Sequence, residues 1–205
     1  ETQFMNLEIF HAASDVRSNP FKNPNLLFNT VRNAGTPADV KETKQLMEIA
    51  SPRNVMLDSG GSSIYNAEKK GKTILSDPSL PVGKDSEYTL NLSPEHVIKA
   101  AIEFKPGTIV ALDRPLQKRN TKAEKEEEFK KKLLINLAWA KESVRLWQKY
   151  CPDARFLIPI QAKKIDQFEE FMEGLSGLEF TGVGLPYRNL NPKLLVQILI
   201  RLWQL

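Results

Sequence analysis

Histidine and cysteine, the side chains behind much metal and nucleophilic chemistry, are nearly missing: 205 residues hold His11, His96 and the single Cys151. One cysteine excludes an intrachain disulfide and any cysteine-based zinc site within this sequence. It fits a reducing compartment, so a cytoplasmic protein is expected. No stretch approaches the ~18 consecutive apolar residues of a membrane span, and the N-terminus lacks the basic and apolar regions of a secretory signal, so no membrane partner is expected. The first apolar run is not followed by a glycine-rich dinucleotide fingerprint, which argues against a Rossmann fold. Charge is not one-sided either. The balance of +4 is compatible with a polyanionic partner but is common among ordinary proteins.

What the chain does have is a repeated way of ending its apolar runs. Asn54-Val55-Met56-Leu57 stops on Asp58-Ser59-Gly60-Gly61, so a strand delivers a carboxylate to a sheet edge and two glycines let the backbone turn sharply beside it. Thr108-Ile109-Val110-Ala111-Leu112 ends on Asp113, Phe156-Leu157-Ile158-Pro159-Ile160 ends on Gln161, and Phe180-Thr181-Gly182-Val183 ends on Gly184. Polar groups at the ends of successive strands are the layout of a site at the carboxyl edge of a parallel sheet.

Helical signals alternate with these runs. Thr36-Pro37-Ala38-Asp39 supplies a cap, a first-turn proline and an acid at the positive end of the dipole, and Val40, Met47 and Ala50 then share one face. Ser93-Pro94-Glu95 repeats the pattern ahead of Val97, Ala101 and Phe104. Leu133, Leu137, Ala140, Val144 and Trp147 form a long apolar stripe, Ile165, Phe168, Met172 and Leu175 a shorter one, and Asn191-Pro192 opens a last helix whose Leu195, Ile198, Leu199 and Leu202 need cover. Leu7-Glu8-Ile9-Phe10 and Leu26-Leu27-Phe28-Asn29-Thr30 read as the first two strands. Repeated strand–helix units imply parallel strands with right-handed crossovers. The expected fold is therefore α/β, a TIM (β/α)8-type barrel that is incomplete, with about six βα units, over residues 1–205 as one domain. Residues 62–92, rich in glycine, proline, serine and charge, read as a long insertion loop. The sequence begins on Glu1 and stops inside an apolar helix, so a piece of a longer polypeptide is expected. Unpaired strand edges and that helix's apolar face would favour a homodimer.

The stretch Gln117 to Lys132 carries dense charge of both signs; Glu124 and Glu126 to Glu128 would repel phosphate, so it reads as a solvated helix start. Trp139 and Trp147 read as packing residues. His11 follows the first strand and His96 lies in a helix start, which leaves little for histidine-based catalysis.

The run Val55-Met56-Leu57-Asp58-Ser59-Gly60-Gly61 resembles the hallmark of the tRNA-guanine transglycosylases, a family that includes archaeosine enzymes and related 7-deazaguanine DNA transglycosylases. The resemblance continues in order through Leu92-Ser93-Pro94-Glu95, Ile109-Val110-Ala111-Leu112-Asp113, Trp139-Ala140-Lys141, Ile160-Gln161 and Gly182-Val183-Gly184-Leu185, with Leu27-Phe28-Asn29-Thr30 like the family's second strand. It spans about Leu26 to Asn189. It implies exchange of a guanine in tRNA or DNA for a 7-deazaguanine base through an aspartyl intermediate. Asp113 would accept the base's two adjacent donors as a bidentate carboxylate does. Gln161 and the Gly184 backbone N–H would donate to O6, with Gly60, Gly61 and Leu185 also at the base. Asp58 would handle the proton on the leaving or entering base. The nucleophilic aspartate, and in the tRNA enzymes a zinc site, would lie beyond residue 205; no cofactor is expected within this segment.

The chain also departs from the family. Ser62-Ser63 stands where an aromatic and a glutamine are usual, so a stacking wall for the base is either missing or supplied by Tyr65 or Tyr187. Arg114 follows Asp113 where an acid is common, free to pair with Asp113, bind phosphate or sit on the surface. Two other readings stay open: a non-catalytic member that binds nucleic acid or a base, and an unrelated barrel enzyme such as an aldolase or hydrolase.

Overall fold

The computed structural model describes residues 11–12, 25–52, 54–83, 87–186 and 191–204. In chain order these form β1 (His11–Ala12), β2 (Asn25–Asn29), α1 (Thr30–Asn33), α2 (Pro37–Ala50), β3 (Asn54–Asp58), α3 (Gly61–Lys69), β4 (Thr73–Leu75), β5 (Thr89–Asn91), α4 (Pro94–Phe104), β6 (Thr108–Val110), α5 (Lys122–Tyr150), β7 (Arg155–Pro159), α6 (Ile165–Gly174), β8 (Gly182–Gly184) and α7 (Pro192–Gln204). The fold is α/β. Its main sheet runs β1-β2-β3-β6-β7-β8, every neighbouring pair parallel, with the two-residue β1 at one edge. No described helix is long and apolar enough to cross a membrane.

Strand periodicity sorts the residues onto two faces. Leu26, Phe28, Leu57, Ile109, Phe156 and Ile158 share the face that packs under the helices, each at most 1% exposed. The register pairs Asn29 with Asp58, Leu57 with Ile109, Val110 with Leu157 and Pro159 with Gly184. Leu27, Asp58, Val110, Pro159 and Gly184 therefore all lie on the opposite face. On the helical side Phe28 meets Phe104 at 6.0 Å, and Trp147 stacks on Phe156 at 5.1 Å while its indole N–H donates to the Ala154 carbonyl. Trp147 is thus a packing residue, and Trp139 is half-buried against the same core.

The cap chemistry holds atom by atom. Thr36 Oγ accepts from the Asp39 N–H at 3.2 Å while Asp39 Oδ2 accepts from the Thr36 N–H at 2.9 Å. Thr121 and Glu124 make the same reciprocal box at the start of α5. At α4, His96 takes the position a glutamate or glutamine usually holds: Nδ1 accepts from the Ser93 N–H at 3.0 Å, so Nε2 carries the proton and donates to the Leu80 carbonyl at 2.8 Å.

Burial, ahead of the opposing hydrogen bond to Leu80, moves the His96 pKa below its ordinary value. The neutral ring is therefore the folded form, and its contribution is complete above the ordinary histidine range and lost as pH falls through the depressed value. Acidification should open the 77–81 segment first. Amide protection factors at Ser93 and Asp77, taken relative to the intrinsic exchange rate at each pH, should fall at pH 5 relative to pH 7 in the wild type, and a His96→Gln variant should not show that fall. Equal pH responses in the two proteins would refute the assignment.

Three expectations need correction. The 62–92 segment is not one loop: Gly61–Lys69 is helix α3, and β4 and β5 pair as a separate two-stranded parallel ladder. Its mixed composition hid a helix whose buried face is only Gly61, Ile64 and Ala67. The Gln117–Lys132 stretch starts a helix as read, being from Lys122 the first third of the 29-residue α5, but it is not wholly solvated, since Glu128 and Lys132 are buried. In α7 the buried positions are Leu194 and Ile198, whereas Leu199 is exposed beside Val196, Ile200 and Trp203. The Leu7–Phe10 strand lies outside the described residues; His11 belongs to β1, opposite Leu26.

Candidate functional site

At the carboxyl edge of the sheet, β2 and β3 end on paired polar residues. Asn29 donates from Nδ2 to Asp58 Oδ2 at 2.8 Å, and its own Oδ1 accepts from the N–H groups of Val31 and Arg32 to cap α1. Thr30 Oγ1 donates to the Asp58 carbonyl at 2.9 Å. The N–H groups of Ser59 and Gly60 also bond the Asp58 carboxylate. Asp58 is only half-buried by surface area. The protein packed around it nevertheless pushes its carboxyl above the ordinary range, and those hydrogen bonds offset the rise only partly.

Asp113 sits just past the end of β6 and is 7% exposed. Gln161, past the end of β7 and 2% exposed, donates from Nε2 to Asp113 Oδ2, and Ser59 Oγ lies 3.5 Å from Oδ1. Burial first, and the nearby Asp58 charge second, lift the Asp113 carboxyl to about 7. Close packing demands glycine opposite it. A β-carbon on Gly61 would overlap Asp113 Oδ1, so only a bare backbone lets α3 begin against that carboxylate.

Asp58, Asp113, Gln161, Gly61, Ser62 and Gly184 line one cavity of about 950 Å³, together with Leu185 and Tyr65. Asp58 and Asp113 thus stand at the same end of the sheet. The one shared cavity brings together the groups that the sequence places at separate strand ends. Among the described residues neither carboxylate has a lysine, arginine or histidine partner. No group of three His, Cys, Asp or Glu side chains there is placed to hold a metal ion.

No family model and no curated protein matches this chain. The site's chemistry therefore has to come from its own atoms.

Several expected contacts fall elsewhere. Gly60 does not line the cavity: it takes φ +95° and faces Val31 and Leu92, so its role is the turn between β3 and α3. The Gly184 carbonyl accepts from the Ile160 N–H at 2.9 Å. In an extended residue N–H and C=O leave the same side, so the Gly184 N–H points into the ladder and not into the cavity. Arg114 does not meet Asp113; its Nε donates to Glu68. Ser63 is half-buried and away from the cavity wall. Tyr187 lies outside the described residues, which leaves Tyr65 as the aromatic at the rim.

Asn29 is the functional residue the sequence reasoning passed over. Its signal was present, since Leu27-Phe28-Asn29 is another apolar run ending on a polar group, but its double role needs the register with Asp58 to be seen. Pro115, Leu116 and Lys163, which also line the cavity, follow the strand ends in segments whose course the sequence does not fix.

Proposed function

We propose that this cavity holds a guanine-type base, and that the chain is the barrel portion of a nucleic-acid guanine transglycosylase, a (β/α)-barrel enzyme that exchanges guanine for a 7-deazaguanine base. The observation that carries the reading is the pair of carboxylates in one cavity, neither of them ion-paired to a lysine, arginine or histidine among the described residues. An ionised carboxylate withdrawn from water is costly unless donors satisfy it. A guanine edge brings two parallel N–H donors, N1–H and the exocyclic amine, matched to the two oxygens of Asp113. Gln161, whose amide donates to Asp113, stands in the same cavity, and carboxamide geometry suits it to a base edge.

Asp58 takes the proton-handling role. Its raised pKa brings it toward the range where a carboxyl can both take and return a proton, and Asn29 holds it in place. The attacking group belongs to a further strand of the assembled enzyme. The ordered resemblance to the transglycosylases supports this reading over an unrelated barrel enzyme, because Asp58, Gly61, Asp113, Gln161, Gly184 and Leu185, which it selects, all line the cavity.

Calorimetric titration with guanine, 7-deazaguanine, hypoxanthine and adenine tests it. Guanine and 7-deazaguanine should bind. Hypoxanthine, which lacks the exocyclic amine, should bind ~10–100-fold more weakly through loss of one charge-assisted hydrogen bond. Adenine binding as tightly as guanine would sink the proposal. Asp58→Asn should leave these affinities within about twofold and, in the assembled enzyme, lower the exchange rate by ~100-fold or more, as expected when proton transfer and not binding is removed. A variant that loses both together would place Asp58 in base recognition instead.

A further inference from the structure

Beside the base cavity lies a second cavity of about 550 Å³, formed by the end of α3, the turn at Gly71–Lys72, residues 114–119 and the first half of α5. Tyr65 and Lys118 line both, so the two adjoin. Lys69, Lys72, Arg114, Lys118, Arg119, Lys131 and Lys132 face this cleft against only Glu68 and Glu128.

Both acids are spent on internal contacts. Glu68 accepts from Arg114, Gln117 and Lys132, and Glu128 accepts from Arg119 at 2.7 Å and from the Gln117 N–H at 3.1 Å. The remaining acids of the charged stretch lie away from the cleft: Glu124 caps α5, Glu126 pairs with Lys164 at 3.4 Å, and the exposed Glu127 is not among the lining residues. The sequence shows mixed charge; the fold segregates it, leaving the exposed Lys69, Lys118 and Lys131 on one rim. A concave wall of one sign concentrates its field over the opening.

We propose that this cleft binds the phosphodiester backbone flanking the base held in the adjacent cavity, so that the nucleic-acid strand enters over Lys131 and Lys69 and passes Lys118 at the shared rim. The proposal rests on the base-binding reading for its direction, but its chemistry is independent of it. It replaces the expectation that the Gln117–Lys132 stretch is merely a solvated helix start.

Fluorescence anisotropy with a labelled guanine-containing single-stranded RNA of about twelve nucleotides, across a salt series, provides the test. Lys69→Glu/Lys131→Glu should weaken binding at least tenfold at moderate salt. The neutral pair Lys69→Ala/Lys131→Ala should lower the slope of log K against log salt by roughly 1–1.5, for two lost phosphate contacts at ~0.7 each. Lys41→Glu, on the exposed surface of α2, should leave the affinity unchanged. Free guanine should bind all of these variants as it binds wild type, since neither Lys69 nor Lys131 lines the base cavity. Unchanged RNA affinity and slope in the double variants would overturn the cleft assignment while leaving the base reading intact. Weakened RNA binding in a protein that fails to bind guanine would support the cleft and overturn the base reading. Polyglutamate binding as tightly as the RNA would also overturn the proposal, because the cleft would then answer to charge alone.

Discussion

Asp113→Asn should make the protein more stable at pH 8 and at the same time unable to hold guanine tightly. The two effects share one cause. Asp113 titrates at about 7 in the fold against an ordinary value of 3.8, with burial the larger cause and the Asp58 charge the second. A carboxyl whose folded pKa is raised stabilises nothing by ionising: stability is greatest below the ordinary value and declines as pH rises from there to about 7, then levels off. The ionised group carries a penalty on the order of 4 kcal/mol if the full difference applies. Asparagine keeps the shape and never ionises, and Gln161 can turn its amide to suit either atom. Urea unfolding should therefore show the wild type losing stability between pH 4.5 and pH 8 relative to the variant. For guanine the sign reverses, because only the carboxylate can accept both N–H groups. With titration near 7, affinity should rise about tenfold from pH 6 to pH 8 and then plateau. Asp113→Asn should flatten that dependence and weaken binding by ~10–100-fold or more. Parallel stability curves for the two proteins would show that Asp113 is not a desolvated acid. Guanine affinity that ignores both pH and the substitution would remove it from base recognition.

Lys132→Met should cost more stability than the removal of any exposed charge in α5. Lys132 is 3% exposed and donates from Nζ to both oxygens of Glu68, and it lies 3.8 Å from Glu128. The two partners respond differently to burial. For Glu68 burial raises the pKa, but hydrogen bonds from Lys132, Gln117 and Arg114 outweigh it and leave the carboxyl below its ordinary value. For Lys132 burial prevails over the Glu68 contact, and the positive Arg114 adds to the fall. The more deeply buried lysine is thus the strained member, and the carboxylate gains from the pairing. Taking the lysine away leaves Glu68 and Glu128 withdrawn from water with less compensation, a loss of ~3–5 kcal/mol. Glu68→Gln combined with Lys132→Met should recover part of that loss, with a coupling of ~1–3 kcal/mol. Lys130→Met, which breaks an exposed pair with Glu170, should leave the unfolding midpoint in place. A Lys132→Met protein as stable as the Lys130→Met one would show that the cluster contributes nothing.

The sequence displays this site at the level of strand ends and loses it at the level of atoms. Asp58, Asp113 and Gln161 were legible because each closes an apolar run, and period-2 alternation with parallel register brings such ends to one edge. The helices with strong caps, Pro37–Ala50 and Pro94–Phe104, were equally legible. Helix α3 was not, since Gly-Ser-Ser is a poor helical opening that is tolerated here because a larger residue would strike Asp113. Nor could sequence sort the charges of Gln117 to Lys132, because which acid turns inward is decided by Arg119, Gln117 and Lys132 in three dimensions. The Gly184 N–H failed for a similar reason: its direction is a property of the ladder, not of the residue.

The main sheet adds its strands in chain order, interrupted only by the separate β4–β5 ladder. Each wall of the cavity that holds the two carboxylates therefore comes from its own consecutive stretch of chain: Leu27 from one, Asp58 with Gly61 from the next, then Asp113, Gln161 and Leu185 in turn. Such a site is open to piecemeal inheritance. Lengthening or replacing the segment after a single strand reshapes one wall while the neighbouring pairings keep their register, so what the cavity accepts can drift one unit at a time around an unchanged pair of carboxylates.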